Sequence, residues 1–147
     1  MKIMITERKE VVLKYFEKID NGTFDSTYFD LFTEDVELYF PKYGYTKGKE
    51  GIKHFGETLG NGLKSLHHDV KNFNIIVSDK YIIVEGQEGG ETKEGIKWPD
   101  NKNSFGKFCN VFEFEGSLIK RVHIYVDPDF TSEDAKRIEM LNQGNKS

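Results

Sequence analysis

The chain has 147 residues, 37% of them hydrophobic and 31% charged, with a formal net charge of -4. That length matches one ordinary domain, long enough to bury a core. The weakly acidic balance lacks the electrostatic footprint of a nucleic-acid binder and offers no basic membrane face. No apolar run approaches the roughly 20 residues of a spanning helix. The single cysteine, Cys109, excludes an intrachain disulfide, as in proteins of reducing compartments. The stretch Met1 to Arg8 becomes charged too soon to hold the apolar core of a signal peptide, so the cytoplasm is the expected location. Aromatic residues make up 14% of the chain, with 12 Phe and 7 Tyr. Large rings are therefore expected to fill the interior or to line a cavity.

Val11, Val12, Tyr15, Phe16 and Ile19 recur at helical spacing, opposite Glu10, Lys14, Glu17 and Lys18. They predict an amphipathic helix from about Glu7 to Asp20, stopped by Asn21-Gly22. A short second helix follows, with Asp25 or Ser26 as N-cap and Tyr28, Phe29, Leu31 and Phe32 as its apolar residues. Asp35 to Phe40 alternates and ends at Pro41, a short strand. Lys42 to Lys49 is expected to be a glycine-bearing loop. Ile52, Phe55 and Leu59 mark a third helix, ended by Gly60-Asn61-Gly62.

From His67 the periodicity becomes that of strands. Val70 to Val77 and Tyr81 to Gln87 are predicted strands, separated by the turn residues Ser78-Asp79-Lys80. Glu88 to Asn103 is expected to be a long hairpin connection. Ser104 to Glu115 and Leu118 to Asp127 form the last two strands, around Glu115-Gly116-Ser117. Thr131, with Asp134 three residues on, caps a last helix over about 131–141. Helices first and consecutive strands after them make an α+β order. Long strands twist, so the sheet is expected to be antiparallel and cone-shaped, curled around the N-terminal helices and open at one end. The whole chain, 1–147, is expected to be one domain with its core over about 7–129.

Several sequence pieces point the same way: Tyr15 in the first helix, Leu31-Phe32-Thr33-Glu34-Asp35-Val36, Phe40-Pro41, and Gly48-x-Glu50-Gly51-Ile52. Phe108-Cys109-Asn110-Val111-Phe112-Glu113-Phe114 and Ile124-Tyr125-Val126-Asp127 complete the set. In this order and spacing the chain resembles the nuclear transport factor 2-like superfamily, in particular its SnoaL-like branch, over about Glu7 to Asp129. The resemblance implies a cystatin-like α+β barrel and a homodimer. It does not imply an activity, because this fold hosts unrelated functions. The superfamily's ketosteroid isomerase uses an aspartate base with a tyrosine and a protonated aspartic acid as oxyanion hole. By register this chain keeps the tyrosine as Tyr15 and has Asn110 in place of the second donor. Phe40 stands where the base would be. A phenyl ring takes no proton, so that mechanism does not carry over.

Phe108, Asn110, Phe112 and Phe114 share one strand face, and Asn110 is its one polar member. Burying an amide without partners costs about 1–3 kcal/mol, so Asn110 needs a ligand carbonyl or hydroxyl, or else a structural bond to Tyr15 or to water. Among candidate bases, His68 is tilted inward by its apolar neighbour Val70. Adjacent His67 and His68 point apart on a strand and suggest no metal site. On the last strand Val122, Ile124 and Val126 form the pocket face, leaving His123 and Asp127 outward, as structural or interface groups. Glu88 falls in phase with the inner residues Ile82, Val84 and Gly86, but its position beside Gly89-Gly90 makes solvent exposure the simpler expectation. Trp98 either closes the pocket or pins its loop to the sheet.

The expected site therefore has Tyr15, His68 and Asn110 as candidate catalytic groups. Phe16, Phe40, Trp98, Phe108, Phe112, Val122 and Ile124 are the expected ligand-contacting wall. No metal and no cofactor is expected, and the expected partners are a small hydrophobic molecule and a second copy of the chain. Two functions fit: an acid–base enzyme on a carbonyl or hydroxyl compound (isomerase, dehydratase or polyketide cyclase-like), or a noncatalytic ligand-binding or dimerisation module.

Overall fold

The computed structural model describes residues 2–127 and 135–144. Helix α1 (Lys2–Asn21) starts earlier than the apolar spacing alone suggested, and Val12, Tyr15 and Phe16 are its buried residues. Nothing in Lys2 to Thr6 breaks a helix, and the Thr6 hydroxyl donates back to the Lys2 carbonyl at 3.0 Å. Asp25 caps the one-turn helix α2 (Ser26–Phe29) by accepting from the Thr27 N–H at 3.0 Å. Strand β1 (Phe32–Phe40) leads to β2 (Gly44–Lys47) and helix α3 (Gly48–Gly62). The expected loop at 42–49 is thus a tight hairpin.

The second half of the chain is sheet. Strand β3 (Leu63–His68) is followed by a single 3-10 turn at Val70–Asn72 and by β4 (Asn74–Ser78). The expected continuous strand at 70–77 is broken because Asp69 holds the turn. Its carboxylate accepts from Asn72 Nδ2 at 2.8 Å, and its carbonyl accepts from the Asn72 N–H at 3.1 Å. Such local bonds compete with ladder pairing. Strand β5 (Tyr81–Thr92) is longer than expected, and β6 (Lys97–Trp98) folds back onto it. Strands β7 (Lys107–Glu115) and β8 (Leu118–Val126) finish the sheet. Helix α4 spans Ala135–Gly144, while the expected cap residues Thr131 and Asp134 lie outside the described residues.

All eight strands join one curved sheet, with the order β2-β1-β8-β7-β5-β3 and with β4 and β6 also paired to β5. The expectation of antiparallel pairing throughout is corrected at one place. Strands β1 and β8 run parallel, with Leu38 opposite Val122 and Tyr39 opposite His123, so the sheet is mixed. Alternation along a strand looks the same whichever way its neighbour runs, and for that reason the sequence pattern did not reveal it.

The core lies between this sheet and the helices. Phe112 is fully buried, with its ring 5.1 Å from Tyr15 and 6.0 Å from Phe16. Phe16 also meets Phe73 at 4.8 Å and Phe108 at 5.6 Å, so one ring of α1 keys into three rings of the sheet side. Gly90 shows how closely the chain packs around β5: a Cβ there would lie 2.3 Å from the Ser65 carbonyl of β3 and 2.7 Å from the Trp98 indole of β6. The Phe112→Ala variant leaves a cavity at the centre of this ring cluster. Its unfolding free energy in urea is expected to drop by about 3–5 kcal/mol, and a drop below about 1 kcal/mol would contradict this account of the core.

Candidate functional site

One cleft brings Tyr15, His68, Glu88 and Asn110 together. It is lined by Tyr15 and Ile19 of α1, Phe40 of β1, Phe55 and Leu59 of α3, and Leu63, Leu66 and His68 of β3. Glu88 of β5, Phe108 and Asn110 of β7, and Ile124 and Val126 of β8 complete the wall. Its empty volume, counted out to the open side, is about 480 Å³. Nine of its residues are aliphatic or phenylalanine, and the polar groups stand out against that apolar wall.

The three residues singled out as chemical candidates, Tyr15, His68 and Asn110, all reach this cleft, as do Phe40, Phe108 and Ile124. The remaining expected contacts are corrected. Phe16, Phe112 and Val122 are fully buried behind the wall and do not line it. Their strand and helix phases were right, but other rings stand between them and the opening. Trp98 pins its hairpin: it pairs with Gly90 in the β5–β6 ladder and covers that glycine, away from the cleft.

His68 ends β3, where the chain passes the C-terminal end of α1. There Asp20 accepts twice, from the His68 backbone N–H at 3.0 Å and from Nδ1 at 2.6 Å. The Nδ1 contact fixes the ring plane, and an Nδ1–H held by a carboxylate leaves Nε2 with its lone pair free. Phe16 and Phe108 hold the same ring edge-on at 4.9 and 5.1 Å. On the other side Nε2 lies 3.7 Å from the Glu88 carboxylate, beyond direct hydrogen-bonding distance.

Glu88 is buried, and the expectation that it lies in solvent is corrected. Strand β5 continues past Gly89-Gly90 and pairs with β3, with Glu88 opposite His68, which carries the carboxylate inside. Burial raises its pKa to about 8, with Asp127 and Asp20 adding to the shift. Glu88 is therefore a neutral carboxylic acid over much of the neutral range. Tyr15 is also pushed well above its usual value by burial, with Tyr28 and Glu88 contributing, so it is a hydroxyl donor and not a base.

Asn110 is 3% exposed, and its Oδ1 is buried without a hydrogen-bond partner. The structural bond from Tyr15 to that oxygen, one of the two readings of its buried amide, is not made. Leaving such an acceptor unmet costs about 1–3 kcal/mol, a cost that a ligand hydroxyl would relieve. Asp127 does not face the site with a catalytic group. Its carboxylate accepts from Ser104 Oγ at 3.0 Å and from the Lys107 N–H at 3.3 Å, fastening the 104–107 segment. His123 sits on the opposite sheet face, 2.8 Å from Glu37, and its hydrogen bond holds the Glu37 carboxyl below the usual range.

Sequence reasoning missed Asp20 and misplaced Glu88. Asp20 follows Ile19 in the last turn of α1 and looks like part of the stop at Asn21-Gly22. Phase did signal Glu88, since it continues the inward series Ile82, Val84 and Gly86. No His, Cys, Asp and Glu grouping suited to a metal ion occurs among the described residues. No helix among them is long and apolar enough to cross a membrane.

Solved structures share this fold. An NTF2-like protein from Anabaena variabilis superposes with a TM-score of 0.71 at 16% identity, covering 87% of this chain and 92% of its own. TerC, co-crystallised with polyporic acid, gives 0.69 at 17% identity over 90% and 98%. A protein of ketosteroid isomerase-like fold from Catenulispora acidiphila, in complex with trimethylamine, gives 0.66 at 15% identity over 83% and 88%. At these identities the likeness is one of fold. No curated protein matches the chain in sequence. The SnoaL-like domain family matches residues 12–122, a span running from the buried face of α1 to the pocket face of β8, and the chain belongs to that family.

Proposed function

We propose that the chain is one SnoaL-like domain acting as a cofactor-independent acid–base enzyme on a small, largely apolar hydroxyl or carbonyl compound. The observation that carries this reading is the Asp20–His68–Glu88 arrangement on the cleft wall, with contacts of 2.6 and 3.7 Å. His68 Nε2, freed as an acceptor by the Asp20 bond, takes a proton from carbon or oxygen. Glu88, kept protonated by burial, gives one back. Asn110 and Tyr15 orient and polarise the reacting oxygen. A base and an acid facing the same space are what proton relocation in an isomerisation, dehydration or cyclisation requires. TerC, similar in fold, was co-crystallised with polyporic acid, which supports a small-molecule ligand. Phe40 on the cleft wall favours a second reading, a binding module without turnover, because it removes the superfamily's best-understood base.

The two readings separate with 2-tetralone as probe, in D₂O, followed by proton NMR. The enzyme reading expects the protein to accelerate exchange of the α-protons. His68→Ala should lower that rate by about 10²-fold or more, and Asn110→Leu should lower it with an unchanged or higher melting temperature. Tetralone binding without accelerated exchange would establish the module instead.

Glu88 also sets a pH dependence. In the unfolded chain it ionises at the ordinary carboxylate value, whereas in the folded chain it holds its proton to about pH 8. The stability it contributes is complete below the unfolded value and is lost as pH rises through the interval to the folded one. Wild-type unfolding free energy is expected to fall over that interval, and the Glu88→Gln variant should show a flatter profile. Equal slopes would mean that Glu88 is ionised in the folded protein.

We also propose a homodimer through the outer sheet face. Tyr39 there lies 5.1 Å from Tyr45 and 5.8 Å from Tyr125, and the last two are 67% and 48% exposed. Val111, Tyr81 and Ile83 extend the same face. Sedimentation equilibrium at micromolar concentration should show a dimer, weakened by Tyr125→Glu. A monomer throughout would refute it.

A further inference from the structure

We propose that the inner cleft is also a binding site for a cationic amine, an alkyl- or arylalkylammonium ion held among its aromatic rings with Glu88 as counter-ion. Such a site follows from the make-up of the wall and is independent of turnover. Among the described residues neither lysine nor arginine lines the cleft, whereas Tyr15, Phe40, Phe55 and Phe108 all do. Phe40 and Phe55 stand with their ring centroids 5.1 Å apart. Ring faces attract a cation, most strongly where water is excluded.

Glu113 and Glu88 are both buried, and the chain serves them differently. Glu113 receives Lys80 at 3.2 Å and Arg121 as well. For Glu88, the one basic neighbour within ion-pair distance among the described residues is His68, with Nε2 at 3.7 Å, and Asp20 already holds the other nitrogen of that ring. The titratable groups around Glu88 are Tyr15 and Asp20 of α1, His68 of β3 and Asp127 beyond the end of β8. The two aspartates add negative charge, so a cation is the group missing from this set. On the same wall the Asn110 Oδ1 is buried without a partner, a second acceptor that lacks a donor. A primary ammonium carries three N–H donors and no acceptor, the complement of both. A carboxylate ligand would enter among acids with no lysine or arginine to receive it. When the ammonium arrives, Glu88 gives its proton to solvent and the ion pair forms. The bound amine then leaves the cleft without the acid that the reaction proposed above requires, and it competes with the neutral compound.

Three ligands on one frame, 2-aminotetralin, 2-tetralol and tetralin-2-carboxylate, test the site by calorimetric titration into the full chain. At about pH 8 the amine is expected to bind about tenfold more tightly than the alcohol, and the carboxylate most weakly. From about pH 6 to about 7.5 the affinity for the amine should rise by about tenfold per pH unit, because binding then releases the Glu88 proton. The heat should accordingly vary with the ionisation enthalpy of the buffer. In Glu88→Gln, a change of nearly equal shape, the advantage of the amine over the alcohol should vanish together with that proton release. Any pH response contributed by His68 persists in the variant, so the difference between the two proteins reports Glu88. An alcohol that binds as tightly as the amine, an advantage that survives in Glu88→Gln, or no amine binding at all overturns the site. Amine binding without accelerated exchange of the 2-tetralone α-protons would leave the amine site standing and remove only the enzyme reading. Accelerated exchange without amine binding would do the reverse.

Discussion

The Asp20 carboxylate is the point on which the site depends. It receives the backbone N–H and the ring Nδ1 of His68 together, and so ties the end of α1 to the end of β3. Hydrogen bonds to a charged group contribute about 1.5–3 kcal/mol each, enough to hold a strand end that would otherwise fray. That tie brings His68 to face Glu88 across the β3–β5 ladder and presses Phe16 of α1 against Phe108 and Phe73. The helix and the sheet then enclose a space in which a carboxyl group prefers to stay protonated. A single acidic residue at a helix end thus fixes a ring orientation and adds to the upward shift of a second, buried acid.

The interior distributes its polar groups unequally, and that inequality separates structural from functional roles. Glu113 is buried on β7, but Lys80 reaches it at 3.2 Å and Arg121 pairs with it from β8, so its charge is compensated within the fold. Asp127 is spent on the 104–107 segment. Asn110 has no such arrangement at Oδ1. A fold seldom leaves a buried acceptor unmet, because the loss is not recovered elsewhere in the protein. The unmet group stands where the wall opens, among rings that offer it nothing, and the chemistry it lacks is a hydrogen-bond donor.

The two sheet faces do different work because side chains alternate. On β7, Phe108, Asn110 and Phe112 face the helices, whereas Cys109 and Val111 face outward. On β8 the register shift between Glu113 and Phe114 keeps Ile119 as well as Val122 and Ile124 on the inner face. The outer face collects Tyr39, Tyr45, His123 and Tyr125, with His123 hydrogen-bonded to Glu37. One strand pair therefore supplies part of the cleft wall on one face and an aromatic surface on the other.

The sequence by itself determined the first three helices and the strands β1, β5, β7 and β8, the inward face of α1 with Tyr15 and Phe16, the Phe108–Asn110–Phe112 face of β7, and the inner face of β8. Each follows from local periodicity, which is set by backbone geometry and needs no knowledge of the neighbours. The phase of β5 was legible too, yet Glu88 could be placed inside only once β5 was seen to continue into a ladder with β3. Only the tertiary structure decided the parallel pairing of β1 with β8, the partnership of Asp20 with His68 across 48 positions, and the confinement of Phe112 and Val122 behind the wall. Those outcomes depend on which segments come together in space. Periodicity reports which way a side chain points and is silent about what it will meet.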